Sequence, residues 1–255
     1  MGTILSIVNQ KGGVGKTTLS FNLAGALKSL GHKILIVDND PQGNLSSYAD
    51  VGGSLSPRLT IDEVYVSRRS QPLEKKDLVT IDDTLSILPS DSMLAGVEYY
   101  LTTRSDKEYV LKNALQKLKD EFDFILIDNP PALNLLTVNG LIASQGVLVP
   151  VQLEFFSLEG IVALEKTIES LKDKNPTLKI IGIVPNMFDD RRKLNWEVLE
   201  ALKESFGEKV LNTKIHNCVK IAESSGHGKS ILSYSPKSRS SQEFLQIAEE
   251  IITHV

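Results

Sequence analysis

The sequence predicts an α/β fold: a doubly wound, mostly parallel sheet flanked by helices. Three observations predict it. Short apolar runs alternate along the 255 residues with segments whose apolar positions recur at helical spacing. A glycine-rich turn joins the first apolar run to the first helical segment. Two of the apolar runs end in aspartate, at Asp38 and Asp128, and in such a sheet ligands bind at the strand C-termini. The length suits one large domain spanning residues 1–255.

Each element has its own warrant. Residues 3–8 are an apolar run suited to a buried strand. In residues 19–30, Leu19, Leu23, Ala26, Leu27 and Leu30 share a helical face, and Gly31-His32 is a plausible stop. Residues 33–38 (K-I-L-I-V-D) form a second buried strand, which completes a βαβ unit with a right-handed crossover. Residues 45–82 hold Gly52, Gly53, Pro57 and Pro72 and read as loops and short helices over one sheet edge, with a short helix at 60–66. Strands are expected at 85–88, 124–128, 146–151, 178–184 and, last, 210–215. Helices are expected at 107–122, 134–143, 158–172, 195–206 and 242–252.

Composition narrows the function. The apolar fraction of 41% supports a substantial core. A net charge of −4 gives no global attraction to nucleic acid, so any DNA contact needs a local basic patch. Cys218 is the lone cysteine, which excludes an internal disulfide and indicates a reducing compartment. No signal peptide precedes the first strand and no apolar run reaches membrane-spanning length, so a cytoplasmic protein is expected.

The chemistry centres on residues 7–18, I-V-N-Q-K-G-G-V-G-K-T-T. Glycines let the backbone wrap an anion, successive N–H groups point inward, and the helix N-terminus adds partial positive charge. Lys16 would reach the β- and γ-phosphates of a nucleotide, and the Thr17 hydroxyl would ligate Mg²⁺. The general phosphate-loop pattern asks for glycine where Gln10 stands; instead a second lysine, Lys11, opens K-G-G-V-G-K-T-T. Asp128 follows four apolar residues, as a carboxylate that holds Mg²⁺ through water does. A chance glycine-rich turn is the alternative for the loop, a helix cap for Asp128 and a plain turn for Asp40-Pro41.

The loop resembles the deviant Walker A motif of the ParA/MinD family of ATPases, and the resemblance covers nearly the whole chain. D-N-D-P-Q-G-N at 38–44 is similar to that family's switch I, which implies that Asp40 orients the attacking water. Residues 128–139 resemble switch II through Asp128, Pro130, Pro131, Leu133, Leu136, Thr137 and Asn139, whereas Asn129 stands where the family has a smaller residue. Residues 150–160, P-V-Q-L-E-F-F-S-L-E-G, look like the family's next strand and loop. The resemblance implies ATP and Mg²⁺ as cofactors. Lys11, Gly12, Gly13, Val14, Gly15, Lys16, Thr17 and Thr18 would bind the nucleotide, with Thr17 and Asp128 (via water) at the metal. Lys11, Lys16 and Asp40 would be catalytic, Lys11 by reaching the partner's ATP across a sandwich dimer rather than only adding local positive field. Asn186, following a strand, matches an adenine-reading position; as a turn residue it needs no ligand.

DNA contacts are expected from Arg191, Lys220, Lys237 and Arg239. Asp189-Asp190-Arg191 matches the family's D-x-R loop. Ile215, Val219, Lys220, Ile221, Ala222 and Glu223 match a second DNA-facing stretch, in which His216, Asn217 and Cys218 replace Pro, Arg and Asn. These cations could equally be solvated surface charges. The implied function is a Soj-like DNA-partitioning ATPase: an ATP-bound homodimer, non-specific duplex DNA, a ParB-like centromere-binding partner that stimulates hydrolysis, and nucleoid association when ATP is bound. A MinD-like ATPase on a membrane or protein scaffold is the alternative. The closing segment E-F-L-Q-I-A-E-E-I-I-T-H-V lacks the Lys and Arg a membrane helix needs. A lone cysteine opposes an iron–sulfur carrier, and nothing names the substrate of a metabolic ligase.

Overall fold

The computed structural model describes residues 2–50, 57–67 and 71–255. Gly52 and Gly53, part of the segment expected to be loop, lie outside the described residues. One seven-stranded sheet is present among them: β1 (Thr3–Ile7), β2 (Ile34–Asp38), β3 (Val79–Asp82), β4 (Leu85–Leu88), β5 (Phe124–Asp128), β6 (Gly146–Gln152) and β7 (Lys179–Asn186). Their order is 3-4-2-5-1-6-7, parallel throughout except for β3, which runs antiparallel to β4. This is the α/β architecture the sequence predicts.

The central strands are almost wholly apolar because both faces are covered, the buried Ser6 of β1 being an exception. Leu5, Ile7, Ile34, Ile36 and Leu126 point to one face, where they pack with α1 (Lys16–Ser29) and the closing helix at residues 239–254. Ile4, Leu35, Val37, Ile125 and Ile127 point to the other. There they meet the helix residues Ile61, Val64 and Tyr65 and the segment from Val97 to Leu118. A third cluster joins Val147, Val149 and Val151 of β6 to Ile161, Leu164 and Ile168.

The remaining helices follow in chain order: α2 (Asn44–Ala49), α3 (Ile61–Val66), α4 (Val97–Thr102), α5 (Val110–Ala114), α6 (Leu135–Ala143), α7 (Ser157–Ser170), α8 (Lys193–Phe206), α9 (Val219–Gly226), α10 (Ile231–Tyr234) and α11 (Arg239–His254). No helix among the described residues is long and apolar enough to cross a membrane.

Two expected elements differ. Residues 210–215 are not a strand. Leu211 N–H bonds the Ile183 carbonyl and Ile215 N–H the Pro185 carbonyl, but the intervening Asn212 and Thr213 N–H groups bond the Glu250 carboxylate of α11 at 2.8 and 2.9 Å. A side chain thus takes donors that a strand ladder would use. The helix expected over 107–122 is broken: α5 stops at Ala114, whose carbonyl accepts the Leu73 N–H at 2.9 Å, and the chain continues as a 3₁₀ turn at Leu118–Asp120. The edge strand β3, in the segment read as loops and short helices, pairs with β4 through a turn held by the Asp82 carboxylate, which accepts the Thr84 and Leu85 N–H groups.

Candidate nucleotide-binding site

β1 lies between β5 and β6, so the loop after it opens in the crevice at the strand C-termini, where open α/β sheets bind ligands. The loop is pinned by Asn9: its Oδ1 accepts the Lys11 N–H at 2.9 Å and its Nδ2 donates to the Pro150 carbonyl at 2.8 Å. Gly13 (φ 75°) and Gly15 (φ 87°) occupy the left-handed region, which disfavours any side chain. Gly15 caps α1 without a side-chain cap, and the first turn carries no acidic residue. The N-terminal N–H groups of α1 are thus left for an anion.

Lys16 is buried at the start of α1, its Nζ 3.4 Å from the Lys11 carbonyl. Desolvation lowers its pKa, while the charges of Asp128 and Asp40 pull it back up. Lys16 is therefore a buried cation facing two carboxylates, poised for phosphate oxygens.

Asp38 and Asp128 are direct neighbours on β2 and β5. Burial pushes the Asp38 carboxyl up to about 6, against hydrogen bonds from Ser46 and Asp40 N–H. Burial pushes Asp128 up to about 7, the charge of Asp38 adds to the rise, and the Thr17 and Ser20 hydroxyls oppose it. Ser20 Oγ is 3.1 Å from Asp128 Oδ1, while the buried Oδ2 has no hydrogen-bond partner. A buried carboxylate oxygen left alone beside a threonine hydroxyl fits Mg²⁺, which takes hard oxygen donors. Among the described residues no three His, Cys, Asp or Glu side chains converge as a metal cage.

Asp40 is buried, with its Oδ1 accepting the Gln42 N–H at 3.0 Å. Behind it runs a buried polar chain: Tyr65 OH donates to Asn39 Oδ1 (2.8 Å), and Asn39 Nδ2 donates to Asn129 Oδ1 (2.9 Å). Asn129 Nδ2 reaches the Ile127 carbonyl at 3.1 Å. The larger residue at position 129 is accommodated by Gly140, where a Cβ would stand 2.3 Å from Asn129 Oδ1.

Lys11 projects on the exposed side of the loop, its Nζ 2.5 Å from Glu154 just after β6. Gly12 and Gly13 beside it face open space. Asn186 ends β7 and is buried under the loop: Nδ2 donates to the Val14 carbonyl at 2.7 Å and Oδ1 accepts the Met187 N–H at 2.9 Å. Its amide therefore supports the loop in this structure.

The candidate DNA cations fall into two groups. Arg191 pairs bidentately with Asp189 at 2.9 and 3.0 Å, and Arg239 pairs with Asp190 at 3.3 Å and Glu243 at 2.8 Å. Lys220 and Lys237 are exposed and in no ion pair among the described residues, and Lys220 Nζ lies 3.4 Å from Ser235 Oγ. Sequence reasoning missed Ser20, Ser46, Ser90, Asn39 and Tyr65. Ser20 alone carried a signal, three residues after Thr17 on the same helix face.

Loop, buried lysine, paired strand-end aspartates and a second, exposed lysine together define a phosphate-loop nucleotide hydrolase of the two-lysine class. A family model described as an AAA domain matches residues 2–180. The sporulation initiation inhibitor protein Soj of Bacillus subtilis is 38% identical over 254 residues, covering 98% of both chains. The chromosome partitioning protein ParA of Caulobacter vibrioides is 39% identical over 253 residues, covering 98% of this chain and 94% of its own. The chain belongs to this Soj/ParA family of partitioning ATPases. Among solved structures, cobyrinic acid a,c-diamide synthase from Mycobacterium smegmatis, with bound ATP analogue and magnesium, superposes with a TM-score of 0.83 at 31% identity. It covers 100% of this chain and 96% of the synthase. The septum site-determining protein MinD of Pyrococcus horikoshii, complexed with Mg-ADP, gives 0.79 at 25% identity over 98% of this chain and 96% of MinD.

Proposed function

We propose that this chain is a Mg²⁺-dependent ATPase that partitions DNA. The single observation that carries the reading is the division of labour between two lysines: Lys16 buried under the loop, Lys11 exposed above it. Lys16 and the N–H groups of residues 12–18 hold the phosphates of one ATP. Thr17 and the orphaned Asp128 Oδ2 hold Mg²⁺, Asp128 through water, and the ion screens phosphate charge when bound. Asp40 orients the attacking water, and Asn186, after leaving the Val14 carbonyl or through its outer edge, is the candidate adenine contact. Lys11 serves a second copy's nucleotide, so ATP brings two copies together face to face. The dimer binds duplex DNA without sequence preference through Lys220 and Lys237, with Arg191 and Arg239 exchanging carboxylates for phosphates. A ParB-like partner stimulates hydrolysis and releases the DNA.

The membrane-cycling alternative is less well supported. The apolar face of α11 (Phe244, Ile247, Ala248 and Ile251) is buried in the core and so is not available to lipid. The test is binding of random-sequence duplex DNA by the purified chain with and without ATP. Binding should need ATP, fade at moderately high salt, and vanish in Lys16→Ala along with nucleotide affinity. An ATP-bound dimer with no DNA affinity even at low salt would favour a scaffold-positioning ATPase.

A further inference from the structure

A closed ring of hydrogen bonds holds the backbone of Asp40. Asp38 Oδ2 accepts both the Ser46 hydroxyl (2.7 Å) and the Ser46 N–H (2.8 Å). The Ser46 oxygen in turn accepts the Ser90 N–H at 2.8 Å. The Ser90 hydroxyl donates to the Asp40 carbonyl at 2.9 Å, with the Asp91 carbonyl a longer alternative at 3.4 Å. The Asp40 N–H points back at Asp38 Oδ1, 3.3 Å away, and closes the circuit.

Three separate pieces of chain make this ring: the end of β2, the first turn of α2 and the segment after β4. Sheet register sets the third. Val37 pairs with Leu88, so Ser90, two residues past β4, is carried by the parallel strands to the level of Asn39, one residue before Asp40, within reach of the Asp40 carbonyl. Ser90 and Asp40 are both buried, so solvent does not readily replace a lost bond. The Asp40 carbonyl also accepts the Gly43 N–H at 2.9 Å, which makes Asp40 the hinge of the turn.

We propose that Ser90, acting through Ser46 and the Asp40 backbone, is a positioning residue for ATP hydrolysis. It rests on the reading of Asp40 as the group that orients the attacking water. In this role Ser90 acts only through its bonds to Ser46 and the Asp40 carbonyl, which set where the Asp40 carboxylate stands. Displacement of a reacting group by a fraction of an ångström is enough to slow the chemical step while ground-state binding is unchanged.

The experiment measures steady-state ATP turnover and, separately, affinity for a non-hydrolysable ATP analogue. Ser90→Ala should lower kcat by about tenfold and change analogue affinity by less than about twofold. Ser90→Thr, which restores the hydroxyl, should recover kcat to within about threefold of wild type. Ser46→Ala opens the same ring, so the double variant should be no slower than the slower single one. The proposal is overturned by Ser90→Ala turnover within twofold of wild type. It is equally overturned by a Thr variant as slow as Ala, by a loss explained wholly by nucleotide affinity, or by additive single losses. Absence of turnover in the wild-type protein would instead remove the ATPase reading on which the proposal rests.

Discussion

Asp128→Asn tests the electrostatics of the candidate metal position without relying on activity. In the Mg²⁺-free chain Asp128 is buried and its carboxyl is raised from an ordinary 3.8 to about 7. The folded state therefore holds this proton more tightly than the unfolded chain. Its stabilising contribution is full below pH 3.8 and is lost as pH rises through about 7. At about 1.4 kcal/mol per unit, the loss is roughly 2 kcal/mol at pH 5.5 and roughly 4 kcal/mol at pH 8. Asparagine does not titrate, so the stability of the variant relative to wild type should rise by about 2 kcal/mol between those pH values. For a chain of this size that is about 4–8 °C in Tm. Asparagine also brings an amide N–H₂ where Oδ2 had no partner, which shifts both pH points equally and leaves the difference untouched. Asp38 titrates over part of the same range and is coupled to Asp128, so the difference compares titration of the pair with titration of Asp38 alone. The assay is thermal unfolding of both proteins in chelator at the two pH values. A Tm difference that is the same at pH 5.5 and pH 8 would refute the reasoning.

Three further outcomes are expected. Gly12→Val meets no atom within 4 Å in the isolated chain, so it should fold normally and bind ATP but sediment as a monomer; an ATP-dependent dimer of normal affinity would contradict this. Gly140→Ala should destabilise by about 1–3 kcal/mol despite the usual helix preference for alanine, because its Cβ would meet Asn129 Oδ1, and Asn129→Gly should relieve the effect. Purely additive melting shifts would count against that contact. Lys220→Glu should weaken DNA binding for all sequences and flatten the log–log salt slope by about one to two, one per copy, with nucleotide affinity unchanged; an unaltered slope would exclude Lys220 from the interface.

What could be read from the sequence was what is local. The phosphate loop is legible because its glycines, lysines and threonines are contiguous and its strand and helix adjoin it. β2 and β5 are legible because burial on both faces leaves four apolar residues in a row before the closing aspartate, and β4 because three of its four residues are apolar. β3 was hidden because an edge strand is half exposed and its four residues lie in a stretch full of turn formers. Residues 210–215 misled because their apolar pattern suits a strand, whereas the fate of their N–H groups is decided by Glu250 on another element. The break after Ala114 is equally non-local, set by a bond to Leu73. At the site, the positions of Lys16, Thr17, Asp40 and Asp128 followed from motif and strand order. The Ser46–Ser90 ring and the Asn39–Asn129 contact did not, since they join residues 44 and 90 positions apart. The pairing of Arg191 and Arg239 with acidic neighbours was likewise invisible in a count of basic residues.

These contacts make the site the least self-sufficient part of the fold. Below it, the sheet is apolar and closed on both faces. At the strand C-termini, Asp38, Asp128 and Lys16 are all held away from water, and one carboxylate oxygen is left without a partner. Buried charges of this kind oppose folding unless something supplies the missing interactions. A nucleotide with Mg²⁺ supplies them: phosphate oxygens for Lys16 and the α1 N-terminus, and a cation for the aspartates. Binding should therefore raise the stability of this layer more than that of the apolar core beneath it. The segments carrying Asp40 and Lys11 should gain most order, because both adjoin the layer and each is held by replaceable contacts: the serine ring for Asp40, Glu154 for Lys11. If two copies meet as proposed, nucleotide binding should thereby order the face on which they meet.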